Sequence, residues 1–335
     1  MSGSVLITGV AGFLGSHLAD ALLAGGSAVR GIDNLSGGYK DNVPDGVEFR
    51  DVDCRSISEY SDLLDGVDTV YHCAAAAYEG LSVFAPYHVD QHTCSATVAV
   101  LSASAQAGVR RFVHCSSMSR YGDGVPPFHE DMTPEPVTPY GIAKYAAELM
   151  VRSICGTHGM EFNIAVPHNI IGPRQRYDDP YRNVAAIMIN RMLQGKQPVI
   201  YGDGSQVRCF SFVADVVSCL VALGEDPSVQ GEVVNVGPDE NPVTVLHLAE
   251  TIAEALGMEC DPVFVPARPL EVHHATCSSD KARRLLGYET RTSLRDGIAD
   301  MVEWMRARGP RPFEYDIELE IVSAITPSTW TAKLI

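Results

Sequence analysis

Several features that define particular classes of protein are missing from this 335-residue sequence. It has no apolar run near the roughly 20 residues that a membrane span needs, and a strand pattern starts almost at once, so we expect no membrane segment and no signal peptide. Only 25 basic residues face 42 acidic ones, and the net charge of −17 argues against broad binding to nucleic acids or anionic membranes. The nine cysteines show no C-x-x-C pair or metal-type spacing. We therefore predict no metal site, buried free thiols and a cytoplasmic protein.

What the sequence does contain is an alternation of apolar strands and helical patterns through its first half. Predicted strands are Val5–Thr8, Ala28–Asp33, Val47–Val52, Thr69–Cys73, Arg111–Ser116 and Phe162–Val166; predicted helices are Ser16–Ala24, Ser58–Leu64, His92–Ala107 and Pro139–Thr157. Strands that alternate with helices predict a parallel sheet covered on both faces. The expected fold class is therefore α/β, a Rossmann-type doubly wound parallel sheet, with ligands beyond the carboxyl ends of the strands.

Three glycines stand between the first strand and the first helix. Gly9, Gly12 and Gly15 have the spacing G-x-x-G-x-x-G. In this context they allow a tight turn and a close approach of the backbone to a pyrophosphate, which the helix N-terminus attracts. Asp33 ends the second strand 18 residues after Gly15, about where a carboxylate binds a ribose. The alternative, a helix cap and turn without a ligand, does not account for the acid at this position.

A second group of polar residues has the pattern Y-x-x-x-K at Tyr140 and Lys144. Thr138 suits an N-cap and Pro139 the first helical position, so both side chains are expected on one face of a helix. A nearby ammonium lowers the pKa of a tyrosine, and the phenolate can then take a proton from a hydroxyl while hydride leaves the same carbon. Ser117, at the end of the fifth strand, could hydrogen-bond that hydroxyl. Taken singly, a half-buried tyrosine, a solvated lysine and a turn serine remain alternatives.

Composition changes divide the chain into three predicted regions. Residues 1–172 form the dinucleotide-binding Rossmann domain, and residues 173–308 form a smaller α/β substrate-binding region. The stretch 210–236 is a candidate to rejoin the first sheet. Residues 309–335 form a C-terminal tail, which is expected to wrap either the surface or a partner subunit.

Several longer motifs accompany these residues: Thr8–Gly15, Asp33–Ser36, Asp51–Val52, His72–Ala75, Ser116–Ser117 with Tyr121–Gly122, Tyr140 with Lys144, Asn169–Pro173, Tyr201–Arg208, Phe212–Asp215, and Arg268 before Ser279–Gly287. As a set they resemble the extended short-chain dehydrogenase/reductases, and more narrowly the nucleotide-sugar 4-epimerases and dehydratases. The resemblance covers roughly residues 4–305.

The resemblance implies NAD as cofactor, a UDP-hexose as the expected substrate, and a homodimer formed through helices 92–107 and 139–157. Asp33 would repel a 2′-phosphate, which favours NAD over NADP. The implied cofactor residues are Gly9, Gly12, Phe13, Leu14, Gly15, Asp33, Asn34, Asp51, Val52, Cys73, Ala74, Ala75, Ser116, Tyr140, Lys144 and Pro167, with Asp51 and Val52 beside the adenine. The implied substrate residues are Ser117, Asn169, Arg208, Arg268 and Ala275. The implied catalytic residues are Tyr140, Lys144 and Ser117.

The implied reaction is inversion at C4 of UDP-glucose, UDP-galactose or a UDP-N-acetylhexosamine through a 4-keto intermediate. Residues 117–122 lack the carboxylates of dehydratases, and Ser119 stands where decarboxylases carry a glutamate and 3,5-epimerases a cysteine. The alternatives are a nucleotide-sugar 4-ketoreductase, a 4,6-dehydratase and a non-catalytic NAD-sensing protein.

Two further positions bear on specificity. Ala275 corresponds to a residue that gates the pocket near C2 of the sugar in 4-epimerases, and a small residue there would admit an N-acetyl group; a one-residue shift in register would place His274 there instead. Arg120, beside the predicted catalytic serine, is expected to be a solvated charge or a second anion contact.

Overall fold

The computed structural model describes residues 3–335, so residues 1 and 2 of the predicted first region lie outside the described part. In chain order the strands are β1 (Ser4–Thr8), β2 (Ala28–Asp33), β3 (Glu48–Asp51), β4 (Thr69–His72), β5 (Arg111–Cys115), β6 (Glu161–Pro167), β7 (Ile170–Ile171), β8 (Val199–Tyr201), β9 (Val207–Arg208), β10 (Ser211–Phe212), β11 (Val233–Val236), β12 (Val243–Thr244), β13 (Val263–Val265) and β14 (His274–Ala275). The helices are α1 (Phe13–Ala24), α2 (Pro86–Asp90), α3 (Ala96–Ala107), α4 (Pro139–His158), α5 (Val184–Leu193), α6 (Val213–Glu225), α7 (Val245–Leu256), α8 (Asp280–Leu286), α9 (Leu294–Arg308) and α10 (Ser328–Thr331).

Seven of these strands form a parallel sheet in the order β11-β6-β5-β4-β1-β2-β3. The predicted doubly wound α/β fold is therefore confirmed. The strand order reverses between β1 and β4, and in such sheets ligands bind beyond the carboxyl ends of the strands at that point. Strand β11 joins the edge of the sheet beside β6, so Val233–Val236 belongs to the main sheet although it lies within the predicted substrate-binding region, residues 173–308.

Alternate residues of each strand are buried on opposite faces of the sheet, because successive strand side chains point to opposite sides. Leu6, Phe112 and Ile164 pack with α3 and α4 on one face. Ile7 and Val113 pack with α1 and α6 on the other. Each such fully buried side chain contributes about 1.5–3 kcal/mol of hydrophobic stabilisation. Burial of both faces explains why these strands are continuous apolar runs.

Two helices differ from their predicted form. The segment predicted as helix 58–64 folds as two short 3-10 turns, Ile57–Glu59 and Ser61–Leu64. Tyr60 separates these turns; it is buried, and its hydroxyl donates to the Cys54 carbonyl at 2.8 Å. The helix predicted at 92–107 begins earlier, as α2, and reaches α3 through a π-helical turn at Gln91–Ser95.

Most of the second half packs as a smaller α/β layer around its own core. Ile189 of α5, Leu248 of α7 and Ile298 of α9 are fully buried against one another's helices. Short strand pairs β7–β10 and β8–β13, with the trio β12-β9-β14, connect these helices to the main sheet. Between residues 3 and 335, none of the helices combines the length and the apolar character needed to cross a membrane.

The C-terminal tail, residues 309–335, folds back over its own chain. The Asn190 amide donates to the Arg311 carbonyl at 2.9 Å, and the Glu320 carboxylate accepts from the backbone N–H groups of Tyr87 and His88 at 2.9 and 2.8 Å. Trp330 is 3% exposed and packs in one cluster with Tyr140 and Phe84. Of the two predicted placements, the structure therefore shows the tail on the surface of its own chain, where it reaches the site described next.

Candidate active site

A cavity of about 990 Å³ opens at the carboxyl ends of the central strands, between the main sheet and the second half of the chain. Nearly all predicted site residues line it: Gly9, Gly12, Phe13, Leu14, Gly15, Asp33, Asn34, Cys73, Ala74, Ala75, Ser116, Ser117, Tyr140, Lys144, Pro167, Asn169, Arg208, Arg268 and Ala275. The fold thus brings together residues that are as much as 266 positions apart in sequence.

Asp51 and Val52 are not among the residues that line the cavity, and their place beside the adenine stays a prediction. Asp51 is exposed at the end of the edge strand β3, and Val52 is buried in the hydrophobic core. The chain turns after β3, so the wall is formed two residues later by Asp53 and Cys54. The Asp53 carboxylate accepts a hydrogen bond from the Asn34 amide at 3.0 Å, which joins it to the predicted ribose-binding loop.

The glycine turn is shaped to receive a ligand closely. Gly9 has φ of +75°, and a Cβ there would lie 2.9 Å from the Ala74 backbone nitrogen. A Cβ on Gly15 would collide with the Gly9 carbonyl oxygen. Helix α1 begins after Gly12 with no side-chain cap, so its first N–H groups stay available to an anion. These features fit a dinucleotide pyrophosphate.

Asp33 fixes this turn to the second strand. Its carboxylate is 7% exposed and accepts from the backbone N–H groups of Ala11 and Leu35 at 3.0 and 2.7 Å. Burial raises the pKa of Asp33, and these two hydrogen bonds oppose that rise. A carboxylate has about four acceptor positions, so two remain for ribose hydroxyls.

Helix α4 positions Tyr140 and Lys144 as predicted. The Thr138 hydroxyl caps it by accepting from the Gly141 N–H at 3.1 Å, and Pro139 occupies its first turn. Tyr140 and Lys144 are 7% and 3% exposed, on the face turned to the cavity. The Lys144 ammonium donates to the Cys115 carbonyl at 2.7 Å, and burial lowers its pKa to about 8.

The pKa of Tyr140 differs from the expectation. Burial raises it, and hydrogen bonding with Ser117 opposes the rise. The Lys144 ammonium donates its hydrogen bond to a backbone carbonyl of β5 and not to Tyr140. A bound ligand that carries positive charge would lower the pKa of Tyr140.

A buried ion pair lies close to the carboxyl end of β5. Glu148 of α4 is fully buried, accepts a hydrogen bond from the Ser116 hydroxyl, and pairs with the Arg120 guanidinium at 3.3 Å. Arg120 is 4% exposed and lies over the Tyr121 and Tyr145 rings. The prediction of a solvated charge or an anion contact for Arg120 is therefore wrong. The carboxylate that pairs with it lies a helix away in sequence, so local reading could not reveal it.

The predicted substrate residues lie on the opposite wall. The Arg208 guanidinium donates to the Val272 carbonyl at 2.6 Å. Arg268 pairs with Glu271 at 2.7 Å and lies 4.8 Å from the centre of the Tyr201 ring. Both arginines are held by the protein with N–H donors to spare, since a guanidinium carries five. This arrangement can bind a phosphate without first ordering a flexible side chain.

The cavity residues that were not predicted from the sequence include Glu79, Arg182 and Trp330. Glu79 and Arg182 are charged residues in loops that follow strand ends, which was the available signal. No sequence pattern indicated Trp330, because its position depends on how the C-terminal tail folds back over the chain. A Cβ on Gly80 would lie 3.1 Å from Arg268 Nη1 and 3.6 Å from Trp330, so the tail contacts the same wall as the predicted substrate arginine.

Comparison with known proteins places this site in a family. Residues 5–237 match the NAD dependent epimerase/dehydratase family, and the chain belongs to that family. The resemblance to extended short-chain dehydrogenase/reductases and the assignment of NAD as cofactor are thereby confirmed.

Individual relatives span several reactions on UDP-sugars. A UDP-glucose 4-epimerase of Mycolicibacterium smegmatis is 36% identical, over 90% of this chain and 98% of its own length. A UDP-N-acetyl-alpha-D-glucosaminuronate decarboxylase of Bacillus cytotoxicus is 28% identical, over 91% and 98%. The structure of a Bacillus cereus UDP-glucuronic acid 4-epimerase with UDP-glucuronic acid and NAD is similar with a TM-score of 0.84 at 28% identity, over 91% and 99%.

Proposed function

We propose that this protein is an NAD-dependent epimerase that inverts C4 of a UDP-hexose through a 4-keto intermediate. The observation that carries the proposal is the continuity of one cavity. It runs from the glycine turn past Ser117, Tyr140 and Lys144 to Arg208 and Arg268. A dinucleotide and a nucleotide sugar can therefore meet at the tyrosine.

In this proposal each polar residue has one task. Ser117 hydrogen-bonds the sugar O4, and Tyr140 takes the O4 proton and later returns it. Lys144, held by the Cys115 carbonyl, orients the nicotinamide ribose. NAD, when bound along the glycine turn, would supply the acceptor for the hydride of the sugar C4 and the source of its return to the opposite face. Arg208 and Arg268 hold the diphosphate while the keto sugar turns over.

Glu79 favours a sugar without a carboxylate. Its side chain is exposed and lines the cavity. Two negative charges about 4 Å apart repel by about 1 kcal/mol in water and about 4 kcal/mol near a protein surface. A uronate substrate would meet this repulsion, and a neutral hexose would not.

Ala275 supports a pocket that admits an N-acetyl group. It is buried against the cavity, whereas His274 is exposed and does not line it. The two residues point to opposite sides because they are successive positions of β14. A small side chain therefore stands at the predicted gate.

Decarboxylation of a UDP-uronate is the second candidate, and Glu79 is again the reason for considering it. Decarboxylases carry a glutamate where Ser119 stands here, and Glu79 brings a carboxylate to the same cavity that Ser119 lines. The absence of a carboxylate from residues 117–122 therefore does not mean that the cavity lacks one.

The deciding experiment incubates the purified protein with UDP-, dTDP- and GDP-hexoses, UDP-N-acetylhexosamines and UDP-glucuronate, and follows the products by NMR. Interconversion of 4-epimers without added cofactor is the expected result. Release of carbon dioxide would indicate the decarboxylase, loss of water a dehydratase, and a need for stoichiometric NAD(P)H a reductase. No turnover with any sugar would point to an NAD-sensing protein and contradict the proposal.

A further inference from the structure

Arg182 lies in the substrate-binding half but approaches the Gly37–Gly38 segment, which packs on the glycine turn of the cofactor half. It belongs to the loop between β7 and α5 and lines the cavity. A Cβ on Gly37 would lie 2.7 Å from Arg182 Nη2. A Cβ on Gly38 would collide with the Ala11 carbonyl and lie 2.7 Å from Gly12 Cα. The Gly37–Gly38 backbone is thus in contact with Arg182 and, one residue later, with the turn predicted to hold the pyrophosphate.

The guanidinium is held rigidly by two buried partners. Its Nε donates to the Asp179 carboxylate at 3.0 Å and its Nη2 to the Tyr78 hydroxyl at 3.0 Å. The Tyr78 hydroxyl in turn donates to Asp179 at 2.7 Å, and the guanidinium lies 4.5 Å from the centre of the Tyr78 ring. Tyr78 and Asp179 are 3% and 4% exposed. The side chain is therefore ordered before any ligand binds, which lowers the entropy cost of using it.

Most donors of this guanidinium have no protein partner. Its hydrogen bonds to Asp179 and Tyr78 use two of five N–H donors, and Nη1 makes none to any residue from 3 to 335. A planar fork with free donors, in a cavity, suits the oxygens of a phosphate group.

The positive charge of Arg182 affects the pKa of one group at each end of the predicted cofactor site. Burial raises the pKa of Asp33, at the ribose end, and of Tyr140, at the reacting end. In both cases the positive charge of Arg182 opposes that rise. Arg182 is therefore close enough to both ends to act on each, as a group that contacts the diphosphate between them would be.

We propose that Arg182 binds the cofactor diphosphate from the substrate-binding half and so closes the site over NAD. The glycine turn then holds the diphosphate on one side and the guanidinium holds it on the other. Both halves of the chain then contribute to holding NAD in the site.

Binding measurements with Arg182→Gln test this directly. Loss of a hydrogen bond to a charged group weakens affinity about 10- to 100-fold. On cofactor-stripped protein, the Kd for NAD and for ADP-ribose should rise by the same factor, because both ligands contain the diphosphate, while the Kd for adenosine stays unchanged. The exchange of bound NAD for labelled NAD should also accelerate. Arg182→Lys should restore part of the affinity.

Arg174→Gln is the matched control, because Arg174 pairs with one carboxylate, Asp20, at 2.6 Å and does not line the cavity. It should bind NAD normally. If Arg182→Gln folds poorly because Asp179 loses its partner, the Arg182→Gln/Asp179→Asn double variant removes both charges and carries the test.

Three results would overturn the proposal. An unchanged Kd for NAD would show that Arg182 does not touch the cofactor. A rise in the Kd for UDP alone would assign the guanidinium to the diphosphate of the sugar nucleotide. An equal rise for adenosine would show a general distortion of the site. None of these results depends on which sugar the protein converts, so the test is independent of the proposed reaction.

Discussion

Replacing Arg120 with methionine would leave the Glu148 carboxylate fully buried without its charged partner. Methionine is of similar length and keeps most of the packing against the Tyr121 and Tyr145 rings. Removing one member of a buried ion pair typically costs about 3–5 kcal/mol, since the remaining charge is uncompensated. We expect a loss of this size in the free energy of unfolding at pH 8.

The loss should depend on pH with a defined sign. Burial already raises the pKa of Glu148, and Arg120 is the main group that opposes the rise. In Arg120→Met the folded-state pKa is higher still, while the unfolded value stays near ~4.3. Between these two values the folded protein binds a proton that the unfolded chain does not. Stability therefore falls as pH rises through this window, by at most about 1.4 kcal/mol per pH unit.

The measurement is urea unfolding of the wild type and the variant at pH 5.5 and pH 8, followed by circular dichroism. Taking the difference between the two proteins at each pH cancels titrations that they share. The deficit of Arg120→Met should be smaller at pH 5.5. An Arg120→Met/Glu148→Met double variant should regain most of the loss, because apolar pairs can replace buried ion pairs. A deficit below about 1 kcal/mol, or one that grows at lower pH, would refute the reasoning.

Four other substitutions test the site. Tyr140→Phe should reduce turnover by about 10²–10⁴-fold and leave the NAD content unchanged, and a rate near wild type would exclude Tyr140 as the proton acceptor. Ala275→Tyr should abolish turnover of UDP-N-acetylhexosamines but spare UDP-glucose, and equal losses would contradict the gate. Glu79→Gln should lower the Kd for UDP-glucuronate about tenfold or more with little change for UDP-glucose, and an unchanged uronate affinity would remove Glu79 as a specificity residue. Trp330→Ala should raise the KM for the sugar nucleotide while NAD stays bound; Trp304→Ala, a change outside the cavity, is the control, and equal effects on KM would show only general destabilisation.

The cofactor half was largely predictable because its signals are local. Gly9 to Gly15, Asp33 and the Tyr140–Lys144 helix each combine a short spacing with a backbone requirement, and each stands where the sequence placed it. Asp51 and Val52 precede the lining residues Asp53 and Cys54, and sequence patterns fix the end of a strand such as β3 only to within a few residues.

The remaining parts of the site depend on contacts between distant segments. In the sequence, Arg120 is a charged residue with no visible partner. Its partner, Glu148, is identified only when α4 is seen to lie beside it. Arg182 acquires its position from Tyr78, more than one hundred residues earlier, and Trp330 acquires its position from the return of the tail. The spacing of residues in the sequence does not indicate such pairs. They can be identified only in the folded structure.

The tail that lines the cavity also bears on the order in which the parts of the cavity form during folding. The cavity wall includes both Gly9 and Ile335, so completing it joins segments 326 residues apart. Contacts of such long range form late in folding, because the chain entropy lost in closing the loop must be met before they contribute. We expect the N-terminal sheet and its glycine turn to form first and the tail to dock last. A folding chain would then pass through a state that holds its dinucleotide but has no finished place for a sugar.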